Sequence, residues 1–399
     1  MFSSLSVPNY RLYWSGMFIS LTGNWIQIVA LSWLVFQLTN SAFLLGVVGF
    51  LSSIPIFLFS LFGGVIADRM NKRNVLLFTQ VVFMALAFIL AILTQIKLIT
   101  PGQIMLIAVL NGTIMAFDAP SRQAMVVELV GKKHLMNAIA LNSVAFNSSR
   151  IIGPALAGIF VSLIGMSGCF YINALSFIAV IIALLFINIT KVRGAFGKSA
   201  GAIADLKEGL MFIRDNPLIL ILVAMIGIMS LFGTSYAILM PIFANDILKV
   251  GVKGLGILMS SAGVGAVIAS LVLARLGDFK YKGYLLIISS LVFSLSLILF
   301  SFSRSYLLSI FSLILMGWGN VSLFALVNTI LQSTVKDEFR GRIMSVYMFT
   351  FAGMMPFGNL ISGSLASKTG APFAVMLGGV ICLILFLAIG IRYSDLRRL

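Results

Sequence analysis

The run Gly64-Val65-Ile66-Ala67-Asp68-Arg69-Met70-Asn71-Lys72-Arg73 separates two long apolar stretches, and its reading decides the fold. One acid and three bases are packed into a hinge with room only to turn the chain round. The flanking runs, 43–66 and 74–96, are each long enough to cross about 30 Å of hydrocarbon as a helix. A polar hinge between two such runs belongs at a membrane surface, where water and headgroups solvate its charges.

The same pattern repeats along the chain. Of 399 residues, 60% are hydrophobic and 10% charged, against about 25% charged in soluble globular domains. Apolar runs fall at roughly 12–37, 43–66, 74–96, 102–119, 137–164, 168–190, 217–244, 254–275, 283–302, 306–332, 342–366 and 370–392. In lipid an unclosed chain satisfies its own backbone only as helix. The expected fold class is therefore an all-α membrane protein with twelve transmembrane helices. A net charge of +16 invites a nucleic-acid reading, but the bases are scattered over short loops rather than gathered on one face, so no nucleic-acid partner is expected. Of the 27 bases, 21 fall in segments on the side of the termini, five on the other side, and Arg150 within a span. The excess of loop bases on one side predicts that both termini are cytoplasmic.

Other chemistry is thin. Cys169 and Cys382 lie in apolar context, with no disulfide or metal-ligand spacing. No phosphate-cradling loop, ligand cluster or nucleophile beside a base is present, so no enzyme activity, cofactor or metal site is expected. No removable signal peptide is expected at the N-terminus.

The longest connection divides the spans six and six, which predicts bundles at 1–190 and 217–399 joined by a cytoplasmic linker, 191–216. Within the linker, Leu206, Leu210 and Ile213 share one helical face, which predicts an amphipathic helix lying along the inner membrane surface. The halves echo one another: Gly153 and Gly158 match Gly358 and Gly363 at an offset of 205, and Asp68 matches Asp278 at an offset of 210. Parallel repeats of this kind are expected to hold a site between them near the midplane.

Four segments carry a resemblance. The opening run has the spacing G-x-x-x-D-R-x-(G/N)-(K/R)-(K/R), with Asn71 where glycine is usual; asparagine tolerates a left-handed backbone. Gly23-Asn24-Trp25-Ile26-Gln27 is followed by Trp33 to Ala42, and Phe117-Asp118-Ala119-Pro120-Ser121-Arg122-Gln123-Ala124 comes later. The fourth is Arg150-Ile151-Ile152-Gly153-Pro154-Ala155-Leu156-Ala157-Gly158, in which Ala157 replaces a glycine of an antiporter motif. Together they resemble the major facilitator superfamily, in the bacterial efflux branch that includes the enterobactin exporter and macrolide efflux pumps. The resemblance implies two six-helix bundles in a bacterial inner (plasma) membrane. It implies a monomer surrounded by membrane lipid that exports small amphipathic organic molecules of drug, macrolide or siderophore type. The mechanism implied is alternating access with proton antiport. It further implies an inner latch in which Asp68 caps the start of helix 11, with Gly64, Arg69, Arg73, Asp118, Arg122 and Asp278 as gating residues. Alternatives are a lipid or lysophospholipid flippase and a non-transporting membrane scaffold.

Arg150 is the most costly residue, since a base this deep costs about 2.5–3.5 kcal/mol on insertion scales. It contacts an anionic or carbonyl-rich substrate, or it bonds polar groups on helices 1 and 4. The resemblance places helices 1, 4, 7 and 10 around the cavity, which makes Asn24, Gln27, Asn111, Tyr236 and Asn320 candidates for substrate binding; Asn142 and Asn328 are further polar residues within spans. Interhelical hydrogen bonds are the competing role for each. Gly153, Pro154 and Gly158 form either a tight helix crossing or a gate. All eleven acids are expected in loops or near span ends, Asp118 and Asp246 being the most ambiguous, so proton coupling follows only from the resemblance.

Overall fold

The computed structural model describes residues 3–187, 202–277, 279–393 and 396, and among these there is no strand. After a short 3-10 turn, Ser3–Ser6, come α1 (Pro8–Thr39), α2 (Ala42–Arg69) and α3 (Lys72–Gln95). A single helical stretch, Pro101–Phe186, follows, opened by a capping box in which Thr100 and Gln103 satisfy each other's backbone N–H groups. It is interrupted at Gly131 (φ 62°, ψ 177°) and Gly165 (φ 73°, ψ 177°), a region of backbone space that is essentially glycine's alone. These breaks divide it into α4 (101–130), α5 (132–164) and α6 (166–186). The remaining spans are α7 (Pro217–Ile247), α8 (Gly251–Leu276), α9 (Lys282–Phe302), α10 (Tyr306–Thr334), α11 (Asp337–Thr369) and α12 (Ala371–Arg392). Among the described residues these make twelve helices, an even number, which returns a membrane-crossing chain to the side where it began.

The twelve runs read from the sequence are all found, with one correction of consequence. The run expected to end at 119 continues helically to 130, so Asp118 and Arg122 lie inside α4 rather than at its end or in a loop. The apolar pattern breaks there because an ion pair four residues apart interrupts it, while the helix carries on. Outward-facing apolar side chains such as Phe62, Phe78 and Leu163, all more than 60% exposed, present the surface that a bilayer covers.

By its packing the chain forms two compact units. The first comprises Met1–Asn40, Leu51–Phe196 and Gly251–Ser260; the second comprises Ser41–Phe50, Gly197–Val250 and Ser261–Leu399. The first is centred on Tyr10, Tyr13 and Met17 of α1, packed with Leu76, Met125, Leu141 and Leu184 from α3 to α6. In the second, α7 is not uniform: π turns at Met229–Gly233 and Phe243–Ile247 bracket the short α-helical segment Tyr236–Ile242. The connecting helix Ala202–Asp215 docks on the start of α11, with Phe212 stacked on Phe339 at 4.5 Å, Glu208 paired with Arg342 at 2.9 Å and Ile213 buried. Part of the face expected to lie on lipid is thus turned onto protein, while Leu210 stays half exposed.

Candidate functional site

Arg150 stands on α5 between two faces that are each taken up by a neighbouring helix. On one, the Ser149 and Thr22 hydroxyls meet at 3.1 Å and Gly153 abuts Trp25 and Thr22 of α1. On the other, Pro154 O abuts Gly256, and a Cβ at Gly158 would lie 3.1 Å from the Lys253 backbone at the start of α8. At about 100° per residue, Arg150 points midway between these faces. It is half buried, and no described residue hydrogen-bonds or ion-pairs with it. One turn below, on nearly the same azimuth, Phe146 is exposed and meets Trp25 edge to face at 6.0 Å. A guanidinium within a span that no described residue engages can receive an organic anion.

The other expected binding residues divide. Asn24 and Asn320 are half buried and, like Arg150, have no described partner. Gln27 is not available: it is 8% exposed and accepts a 2.8 Å bond from Asn173 of α6. Asn142 accepts from the Tyr10 hydroxyl at 2.9 Å, and the Asn111 amide donates to Ile107 O of its own helix. Gln27 and Asn142 tie helices together, since a polar side chain in a span takes the nearest partner, whereas the Asn111 bond stays within its own helix. Asn328 accepts from Gln332 at 2.7 Å and lines a cleft of about 380 Å³ with Lys282, Thr329 and Arg340. Tyr236, just after the first π turn, is half buried and engaged by a neighbour.

The glycine echo is physical. Gly153 abuts α1 and Gly158 abuts α8; at the equivalent places Gly358 abuts Leu231 and Ser235 of α7, and Gly363 abuts Gly46 of α2. A Cβ on Gly363 would meet the Gly46 Cα at 2.6 Å, so the α2–α11 crossing admits no side chain there. The α5–α8 crossing joins the end of α5 to the start of α8, and the α2–α11 crossing joins the end of α11 to the start of α2.

On the termini face, the expected latch residues are differently employed. Asn71 has φ −68°, an extended backbone, and caps α3 by accepting from Arg73 N at 3.0 Å; its side chain, not a left-handed backbone, is what the position uses. Arg73 donates to the last carbonyls of α6, Leu184 O at 2.6 Å and Leu185 O at 2.8 Å. Asp118 is paired with Arg122 rather than with a base of the hinge: Oδ2 accepts from Arg122 Nη2 at 2.8 Å, and Oδ1 accepts from Thr79 and Gln80 of α3, each at 2.7 Å. Arg69 is exposed and nothing approaches Gly64. The Asp68 side chain and Asp278 lie outside the described residues, as do linker residues 191–201. The sequence reading missed the Lys72–Glu128 pair at 3.0 Å, and with it Tyr13, Thr79, Gln80 and Ser121 around Asp118; the i,i+4 spacing of Asp118 and Arg122 was the available signal. Among the described residues no group of His, Cys, Asp and Glu side chains could hold a metal ion.

Comparison with known proteins completes the picture. A family model described as "Transmembrane secretion effector" matches residues 1–397. The staphyloferrin A transporter of Staphylococcus aureus (strain NCTC 8325 / PS 47) is 29% identical, covering 94% of each chain. Macrolide efflux protein A of Streptococcus pyogenes is 22% identical, over 93% of each. Among solved structures, a bacterial homologue of the human lysosomal transporter Spinster superposes with a TM-score of 0.76 at 12% identity, covering 98% of each chain, a likeness of fold.

Proposed function

Because the chain belongs to the transmembrane secretion effector family of the major facilitator superfamily, we propose that this multi-pass membrane transporter exports a small organic molecule by alternating access, with protons as the counter-ion. The observation that carries the substrate class is Arg150: a guanidinium within a span that no described residue engages suits an amphipathic anion of siderophore type better than an organic cation. Asn24, which has no partner among the described residues, supplies a further hydrogen bond. The name of the staphyloferrin A relative agrees with the preference; that of the macrolide efflux relative marks the neutral alternative.

The outer gate in this proposal is the pair of glycine crossings, α5 on α8 and α2 on α11, which must part for release on the far side. The protein acts as a monomer, with the termini face toward the cytoplasm of a bacterial cell.

The test is reconstitution in phospholipid vesicles with an imposed pH gradient, measuring counterflow of an iron-free polycarboxylate siderophore and of a neutral macrolide. Losing a charged hydrogen bond worth about 1.5–3 kcal/mol should weaken apparent affinity for the carboxylate roughly 10- to 100-fold in Arg150→Ala and leave the macrolide unaffected. Equal affinity of wild type and variant for the carboxylate removes the anion reading. Absence of any counterflow across both classes counts against export.

A further inference from the structure

Among the described residues, five buried side-chain polar atoms have no hydrogen-bond partner, and four of them surround Asp118: Tyr13 Oη, Gln80 Oε1, Ser121 Oγ and Arg122 Nη1. Tyr13, Gln80, Ser121 and Asp118 are each at most 1% exposed. Leaving buried donors and acceptors unmet is costly, and natural interiors avoid it. Concentrating them around one carboxylate, within a span, points to a guest. That guest must accept from Arg122 Nη1 and donate to Gln80 Oε1. A metal cation fails the first requirement and an anion the second. Water, able to pass a proton on, meets both.

The geometry points to Asp118 as a hydrated proton-binding site, in which the Tyr13 and Ser121 hydroxyls hold water against the carboxyl and Arg122 is the switch that lets a proton on or off. In the described arrangement the carboxylate receives Thr79 and Gln80 on Oδ1 and both Nε and Nη2 of Arg122 on Oδ2. The Arg122 side chain is 22% exposed although its Nη1 is buried, so the edge of the packing lies beside it. When it swings off, a buried carboxylate is left facing neutral donors and takes one proton; when it returns, the O–H bond breaks and the proton leaves through the water. The guanidinium stays protonated throughout, so the cluster cycles between net charge 0 and +1.

The other titratable groups about this region are otherwise engaged. On α1, Tyr10 donates to Asn142 and Ala138 O. On α3, Lys72 pairs with Glu128 of α4, and Arg73 holds the α6 carbonyls. On α2, Arg69 is exposed, and on α5 Lys132 and Lys133 are exposed and His134 half buried. By helix rise, Tyr13 and Gln80 sit roughly one and a half to two turns inside the starts of α1 and α3, so the site lies close to that end of the spans.

This assignment deepens the antiport reading but is tested without a transported compound. Infrared difference spectra of the full chain in phospholipid bilayers, recorded between acidic and neutral buffer, report the C=O stretch of a protonated carboxyl. Wild type should show such a band, and Asp118→Asn should lose it. Tyr13→Phe should shift its frequency without removing it. Arg122→Gln, which removes the switch, should already show the band in neutral buffer, at several times the wild-type intensity. The assignment is overturned by a band that survives in Asp118→Asn, or by no band in wild type. It also fails if Arg122→Gln, shown to be folded by its thermal transition, has the wild-type spectrum. Failure of the export reading appears instead as absent counterflow with these spectra intact.

Discussion

A polar side chain within a lipid-embedded helix has two employments, and residue by residue this chain separates them. Gln27 and Asn173 bond each other across α1 and α6, whereas Asn24, one turn from Gln27, has no described partner. Asn173→Ala should strand Gln27 and cost about 0.6 to 1.7 kcal/mol, read as a lower thermal midpoint in detergent. Asn24→Ala should leave that midpoint unchanged and alter transport. A sequence shows that both amides sit in a span but not which neighbour each meets, because helix azimuths are set by tertiary packing. Arg150 was legible since its charge alone demands explanation; Thr79, Gln80 and Tyr13 were not, since each is unremarkable until α1, α3 and α4 bring them together. Gly363→Val tests the other extreme, adding a Cβ at 2.6 Å from the Gly46 Cα. It should destabilise by about 1–3 kcal/mol and loosen the α2–α11 crossing, detected as faster maleimide reaction of a cysteine placed nearby at Phe43.

At the scale of elements, span number came from apolar length, whereas span ends depend on caps and breaks. Thr100 with Gln103, Asn71 and the paired breaks at Gly131 and Gly165 are recognisable in retrospect, yet the α4 run was cut short because Asp118 and Arg122 disguised eleven further helical residues. Gly131→Ala and Gly165→Ala should each cost about 1–3 kcal/mol, since alanine does not tolerate that backbone. Gly102→Ala, at an ordinary helical position with nothing within 4 Å of its Cβ, should be neutral or stabilising. Thermal midpoints of the three variants check the contrast. The connecting helix was expected as an amphipathic element along the membrane, whereas its Phe212–Phe339 stack and Glu208–Arg342 pair depend on partners 127 and 134 residues away in sequence. Phe212→Ala should undock it and speed tryptic cleavage after Arg214, whose side chain is 79% exposed.

For the whole molecule, composition settled the membrane, apolar runs the number of crossings, and loop bases the proposed direction. That direction is open to a clean measurement because Cys169 and Cys382 are both fully buried and contribute little background. With the termini cytoplasmic, an impermeant thiol reagent added to intact cells should label Ser305→Cys and spare Tyr281→Cys; the reverse pattern would invert the topology. The repeat was visible as a fixed glycine offset, while the partners of those glycines were not, since an offset says nothing about which helix approaches.

One feature of this packing bears on biogenesis. The head of α2 belongs with α11, and the head of α8 with α5. During synthesis Gly46 therefore enters the bilayer long before Gly363 is translated, and a translocon or lipid must cover its groove in the interval. Helices α2 and α5 of the first half meet these partners only when α11 and α8 have been made, so neither half expressed alone would carry a complete set of neighbours.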